Sequence, residues 1–270
     1  MRLINAKPDA GTRVILAALP FVLVVLAYVL GSAARLAENP ADKLLPSLAT
    51  LGDAVVRVAF VADARTGDYL LLSDTLASLS RLWEALALST AIALVVGMAV
   101  GLLPAVRALL APFVAMVSMV PPLALLPILF IVMGLGEASK VALITIGVTP
   151  FLIRDLAMRV LELPREQLIK AQTLGASTWQ IALRMVLPQI LPRLIDALRL
   201  SLGPAFLFLI AAEAIAADSG LGYRIFLVRR YLAMDVILPY VAWITLLSVA
   251  MDYALARLRD GLFPWFGAAK

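Results

Sequence analysis

Cysteine and histidine are both missing from this 270-residue chain. Without cysteine there is no disulfide, no thiolate nucleophile and no sulfur ligand for a metal. Without histidine the usual general base at neutral pH and the commonest metal ligand are gone, so neither a zinc spacing nor a histidine-based triad can be written. Charge is scarce too: Asp, Glu, Lys and Arg make up 15% of the residues and apolar types 63%, with a mean hydropathy of +1.00. Soluble domains carry about 25% charged residues. The apolar runs are long and continuous, not alternating, which excludes a β-barrel and points to an all-α polytopic membrane protein. A phosphate-binding loop is also lacking. Its nearest lookalike, Gly134-Leu-Gly-Glu-Ala-Ser-Lys140, has no Gly-Lys-Ser/Thr ending. The chain therefore has no such route to ATP hydrolysis, and an ATPase that drove it would be a separate polypeptide.

What is present divides into six apolar runs. The first covers residues 14–36 behind Arg2, Lys7 and Arg13. It exceeds the h-region of a signal peptide and is read as a retained span. Residues 38–74 are more acidic; within them Leu44, Leu48, Leu51, Val55 and Val58 fall at helical spacing. That is an apolar stripe on a helix too polar to cross, an interfacial helix. The second run peaks over 86–103, with Gly97 and Gly101 as a small-xxx-small pair for close helix contact. The third, 109–133, is interrupted by Pro121, Pro122 and Pro127. Prolines in a span free backbone carbonyls, which survive only against protein or a water-filled cavity. Met119, Pro121 and Pro122 are thus candidate gate or pathway residues, with a simple packing kink as the other reading. The remaining spans are read at 139–158, 194–217 and 236–255, and Arg257, Arg259 and Lys270 close the chain. Six crossings put both termini, the Arg107 turn and the loop after the fourth span on one side. That side has the larger share of Lys and Arg in short loops, so it is expected to be cytoplasmic. The net charge of +5 is explained by these flanking cations, not by nucleic-acid binding.

The segment 163–192, LPREQLIKAQTLGASTWQIALRMVLPQILP, is the polar and basic exception. Pro164 suits the first position of a helix and Gly175 the positive φ that ends one. Ser177 with Gln180 spells a capping box that opens a second helix, and Pro188 and Pro192 lead back to apolar sequence. The local grammar is a helical elbow outside the membrane. Arg154, Arg159, Arg165, Lys170, Arg184 and Arg193 flank or lie within it.

This segment resembles the cytoplasmic "EAA" loop of ABC-importer permeases. Gly175 matches the family's glycine, Leu187-Pro188 fall at the expected distance behind it, and Met185 takes the Ile place. The Glu-Ala-Ala itself is replaced by Ile169, Lys170 and Ala171, so the family's Glu is absent. PPLALLPILFIVMGLG (121–136) and AAEAIAADSGLGYRI (211–225) agree with the same family, and LGASTWQI with its nitrate/sulfonate/taurine branch. The likeness runs over roughly residues 70–263. It implies a type I permease core of six transmembrane helices with an outer interfacial helix. The expected organisation is 1–72 (tail, first span, outer segment), 73–263 (core, with a coupling loop at 160–193) and 264–270 (tail).

The resemblance further implies that Ala171, Gln172, Thr173, Leu174, Gly175, Ala176, Ser177, Trp179, Leu187 and Pro188 form the loop that couples to the ATPase. Its exposed face is expected to offer Gln172, Thr173, Leu174, Ala176, Ser177 and Trp179. The implied partners are two ATPase subunits, which would hold the ATP and Mg, a second copy of the permease, membrane lipid, and a periplasmic or lipid-anchored solute-binding protein. The implied place is the bacterial inner membrane and the implied cargo a small oxyanion or organic anion. The alternative class is an ATPase-independent secondary transporter, which would call for an inverted repeat and broken helices at mid-membrane. Among ionisable residues in spans, Glu213 has two readings: gate or binding-protein contact, or structural partner of Arg224 or Arg81. Asp252 is expected to pair with Arg257 or a neighbouring chain's cation, and Asp196 and Arg199 to act as anchors. Thr145, Thr149, Ser118 and Ser201 are either a polar route or helix–helix glue.

Overall fold

The computed structural model describes residues 8–64 and 67–267. Arg2, Lys7 and Lys270 lie outside them. Every regular element among the described residues is helical: α1 (Ala10–Glu38), α2 (Leu48–Phe60), α3 (Leu70–Leu102), α4 (Pro104–Val117), α5 (Leu126–Met133), α6 (Glu137–Leu161), α7 (Arg165–Thr173), α8 (Thr178–Gln180), α9 (Leu187–Ala216), α10 (Leu221–Arg229), α11 (Met234–Leu262) and α12 (Pro264–Gly267). Among the described residues five helices are long and apolar enough to cross a membrane, or six when α4 and α5, bent by 82° at the Pro121-Pro122 break, are counted as one span. A short 3-10 turn, Pro122–Leu125, fills the break. The interrupted third span is thus a true corner.

The chain divides into two compact units. One comprises residues 1–69 and 228–240. Asp9 caps α1 by accepting from the amides of Gly11 and Thr12. The Tyr28 hydroxyl donates to the Pro46 carbonyl at 2.7 Å and Ser32 to that of Leu45 at 2.9 Å, which ties α1 to the link before α2. Arg35 pairs with Asp42, and Arg57 with Asp235. The apolar side chains of α1 from Val14 to Leu26 are exposed, as expected of a lipid-facing span. On α2 the buried positions are Ala54 and Val58, while Leu48 and Val55 stay exposed. Of the predicted stripe Val58 is buried, and Ala54 is buried beside it, while Leu48 and Val55 stay on the exposed side.

The other unit comprises residues 70–227 and 241–270. Its centre is the packing of α3 on α6 and of α6 on α9, with Leu82, Leu143, Leu152 and Leu209 fully enclosed. The predicted small-residue pair makes this possible. A Cβ on Gly97 would lie 3.0 Å from Cβ of Leu156, and one on Gly101 only 2.5 Å from Cβ of Val160. The backbones approach as closely as they do because these side chains are absent. Two expected boundaries shift. α3 starts at Leu70, so Asp74 belongs to this helix and not to the acidic link before it. The fifth span does not begin near 194: α8, a π-helical turn (Ile181–Val186) and α9 run on as one 39-residue helix, Thr178–Ala216. Pro188 sits in the first turn of α9, where its missing N–H is tolerated.

Gly101→Ala should lower stability by about 1–3 kcal/mol through overpacking against Val160. Gly52→Ala on α2, where nothing lies within 4 Å, should be neutral or slightly stabilising. Thermal midpoints of the detergent-solubilised variants test both, and an unchanged midpoint for Gly101→Ala would disprove the close-packing account.

Candidate functional site

Two places carry the residues singled out from sequence. The first is the elbow between α6 and α9. α7 ends in a paired turn: the Gly175 amide donates to the Gln172 carbonyl at 2.9 Å and the Ala176 amide to that of Ala171 at 3.0 Å. This closure needs a left-handed residue, and Gly175 has φ +80°. Ser177 then caps the next helix, with the Gln180 amide donating to Ser177 Oγ at 3.3 Å and the Ser177 amide to Gln180 Oε1 at 2.8 Å. The capping box is formed as read.

The elbow has two faces. Ala171 and Ala176 turn inward onto a small core of Leu156, Val160, Ile181, Val186, Ile190 and Leu194. Ala176 therefore does not belong to the exposed face assigned to it; methyl packing across the turn holds the elbow to α6 and α9. Gln172, Thr173, Gly175 and Ser177 are exposed, and Leu174 and Trp179 are 78% and 71% exposed. Leu187 is half-buried and Pro188 exposed behind them. A Cβ at Gly175 would meet nothing within 4 Å. A rigid polar turn thus presents two large apolar side chains to its surroundings.

The second place is the far end of the same bundle. Glu213 on α9 has a fully buried side chain. Ser78 Oγ lies 2.7 and 2.9 Å from its two carboxylate oxygens, Arg81 Nη1 donates at 2.7 Å and the Gly222 amide at 2.8 Å. Arg81 also reaches the Ser219 carbonyl at 2.8 Å and pairs with Glu137, which holds Lys140 at 2.8 Å. One turn earlier on α3, Asp74 accepts from the Gly220 amide at 3.0 Å and from Arg224 at 2.8 Å. The Leu221 amide donates to Ser78 Oγ at 2.8 Å. Three consecutive amides, 220 to 222, are thus claimed by three buried side chains of two helices. Three carboxylates face three cations, as burial in a low-dielectric site requires. The loop glycines are obligatory: Gly220 has φ +128° and a Cβ there would lie 2.6 Å from the Glu213 carboxyl, while one on Gly222 would lie 2.7 Å from the Ile210 carbonyl.

Of the two partners considered for Glu213, Arg81 is the one it meets; Arg224 goes to Asp74. Nothing in the sequence marked Ser78 or Asp74, because the pairing spans more than 130 residues. Asp252 pairs with Arg199 at 2.8 Å and not with Arg257, which stacks on Tyr253. Asp196 takes Arg199 and Arg259. Thr145 and Ser201 donate back to the carbonyls of Val141 and Ala197 one turn earlier in their own helices, so these bonds neither tie one helix to another nor mark a polar route. Ser118 instead accepts from Arg154 at 2.7 Å. Met119, 78% exposed, and Pro121 and Pro122 stand at the corner between α4 and α5.

These features define a membrane permease core, and the chain belongs to the family described as "Binding-protein-dependent transport system inner membrane component", which matches residues 89–266. It is an inner-membrane transport component of ABC type, not an enzyme; in this family the ATPase is a separate subunit. The taurine transport system permease protein TauC of Escherichia coli K12 is 36% identical over 200 residues, 74% of this chain and 73% of that one. The bicarbonate transport system permease protein CmpB of Synechococcus elongatus is 30% identical over 192 residues, 70% and 68% of the two chains. A chain of the MetNI methionine ABC transporter, in an inward-facing conformation, shares the fold with TM-score 0.64 and 21% identity. The match covers 74% of this chain and 99% of that one.

Glu213→Ala should cost about 3–5 kcal/mol, since it strands the buried Arg81 guanidinium and the Gly222 amide. Glu213→Gln keeps an acceptor and should cost less. Denaturation midpoints in detergent measure the difference, and a Glu213→Ala protein as stable as the parent would show that the carboxylate is no anchor.

Proposed function

We propose that this chain is the translocation subunit of an importer that carries a small oxyanion or organic anion, of the nitrate/sulfonate/taurine type, from periplasm to cytoplasm. The relatives move taurine and bicarbonate, solutes whose common feature is an anionic oxygen group. Transport runs by alternating access. Two partner ATPases, which hold ATP and Mg, close on one another and drive the spans through the elbow. The observation that carries this coupling role is the elbow's construction. Its Gly175 turn and capping box make it stiff, and Leu174 and Trp179 project from it largely exposed, Trp179 beside an apolar hollow lined by Leu94, Met98 and Leu102 of α3. Large apolar side chains on a rigid knob are what a partner's cleft binds best.

One chain holds one elbow, and a two-fold assembly on two ATPases takes two, so the permease works as a homodimer. Six crossings and the positive-inside rule set both termini and the elbow in the cytoplasm. The Glu213 cluster then lies at the periplasmic end, where a periplasmic or lipid-anchored binding protein delivers the solute. Lipid is the remaining partner. Secondary transport finds no support among the relatives.

Copurification of the tagged chain with ABC ATPase subunits of its own cells tests the coupling. Leu174→Glu and Gly175→Trp should each reduce the recovered ATPase at least about tenfold, the loss of a hot spot of ~2 kcal/mol. Leu174 points away from its own fold, so the Leu174→Glu permease should still be made. Gly175→Trp also strains the left-handed turn, and its effect counts only with the permease recovered at the parent level. Full ATPase recovery with both variants would remove the elbow from the interface. Vesicles holding the whole complex and binding protein should accumulate labelled taurine or bicarbonate only with ATP inside the ATPase compartment; ATP-independent uptake would revive secondary transport.

A further inference from the structure

At the corner between α4 and α5 a cavity of about 310 Å³ opens against α6. Ser118, Val120 and Pro122 line it from the corner, and Gly147, Pro150 and Arg154 from α6. At roughly 30 Å³ per water it holds on the order of ten waters, room for a small solute with part of its hydration. A helical rise of about 1.5 Å puts Arg154 roughly 25 Å along α6 from Glu137 and roughly 10 Å before Leu161. Sequence alone counts it among the cations that flank the elbow; the fold sets it in a wall of this cavity.

Several cations of this unit have no carboxylate partner among the described residues: Arg107 is held by the Val100 and Gly101 carbonyls, and Arg193 and Arg257 lie over Phe266 and Tyr253. Arg154 is the cation that lines this cavity. Arg81, Lys140, Arg159, Arg199, Arg224 and Arg259 each have a carboxylate partner. Among the described residues Arg154 has none. It is exposed, and one of its five N–H groups donates to Ser118 Oγ at 2.7 Å. The Ser118 hydroxyl donates its own hydrogen bond to the Ala115 carbonyl at 2.7 Å, which leaves its oxygen lone pairs for the guanidinium. The nearby carboxylate that also lines the cavity, Asp155, faces Arg159 at 3.4 Å. A guanidinium fixed at one corner, with its other donors unclaimed and no counter-ion, matches the planar oxygen face of a sulfonate or carboxylate.

We infer that Arg154, held by Ser118, is an anion-selective contact of the solute pathway at the α4–α5 corner. The group it takes is an oxyanion: sulfonate, carboxylate or bicarbonate. A lipid phosphate is the same chemistry from another source. The inference rests on the anion reading above and gives that reading a residue. It also accounts for the broken span. The corner and its 3-10 turn pack against α6 and wall the space in which a charged solute meets the guanidinium.

The absence of cysteine makes the test direct. Val120→Cys puts one thiol in the cavity and leaves Ser118 and Arg154 intact. The full transporter complex in phosphatidylcholine vesicles is treated with sulfonatoethyl methanethiosulfonate, an anion, or with its trimethylammonioethyl counterpart, a cation. Rates are normalised to a free thiol. The anionic reagent should be favoured at least about tenfold, the lower end of electrostatic focusing in a charged cleft. Arg154→Gln in the same background should abolish the preference, and Arg154→Lys should keep part of it. Equal rates with Arg154 present, or no reaction with either reagent, would overturn the inference. So would a preference that collapses when phosphatidylglycerol is added, since headgroups would then be the occupant. The labelling needs no transport, so a failure of taurine or bicarbonate uptake counts against the solute reading alone.

Discussion

The bundle of 70–227 and 241–270 is held at one end by a carboxylate that has no access to solvent. Glu213 could not sit fully buried in apolar surroundings unless its charge were matched and its lone pairs filled. Arg81 supplies the charge, Ser78 and the Gly222 amide the hydrogen bonds. Each requirement constrains another element: α3 must bring Ser78 and Arg81 one turn apart on the same face, and the loop after α9 must turn inward. It can do so because Gly220 and Gly222 lack the side chains that would strike Glu213 and Ile210. Asp74 repeats the arrangement for Gly220 and Arg224. The cluster locks α3, α6, α9 and the loop together by electrostatics at a place where apolar packing has no directional preference.

At the other end the same helices are joined by contact. Gly97 and Gly101 let α3 touch the α6 backbone, and the elbow folds its Ala171 and Ala176 onto the α6–α9 seam. The two ends therefore differ in kind. One is a charged lock of paired carboxylates and cations; the other is a methyl-packed elbow followed by a π-helical turn, a form often found at functional sites. On the proposed coupling role, a push delivered at the elbow meets a bundle whose opposite end is tied by the Glu213 cluster. The α4–α5 corner, its cavity and Arg154 lie between the two ends.

Much of this was legible in the chain. The apolar runs marked a membrane-spanning helical protein, and the lack of histidine, cysteine and a phosphate loop pointed away from chemistry of its own. The elbow was legible residue by residue, because a Schellman turn and a capping box are local: Gly175, Ser177 and Gln180 act within three or four positions of one another. The small-residue pair at Gly97 and Gly101 was likewise readable from its spacing, since four positions is one helical turn.

What the fold decided is what depends on pairs far apart in the chain. Glu213 chooses Arg81 over Arg224, Asp252 chooses Arg199 over Arg257, and Ala176 faces inward, because three-dimensional packing and not sequence distance sets which partner is in reach. The run from α8 into α9 was misread for the same reason. Proline is a local stop signal, and a π-helical turn followed by Pro188 in a first turn satisfies the backbone in a way no residue spacing announces. Arg154 makes the point most plainly. Its sequence neighbourhood is that of a topology-setting cation, and only the corner 36 positions away puts Ser118 and an open cavity against it.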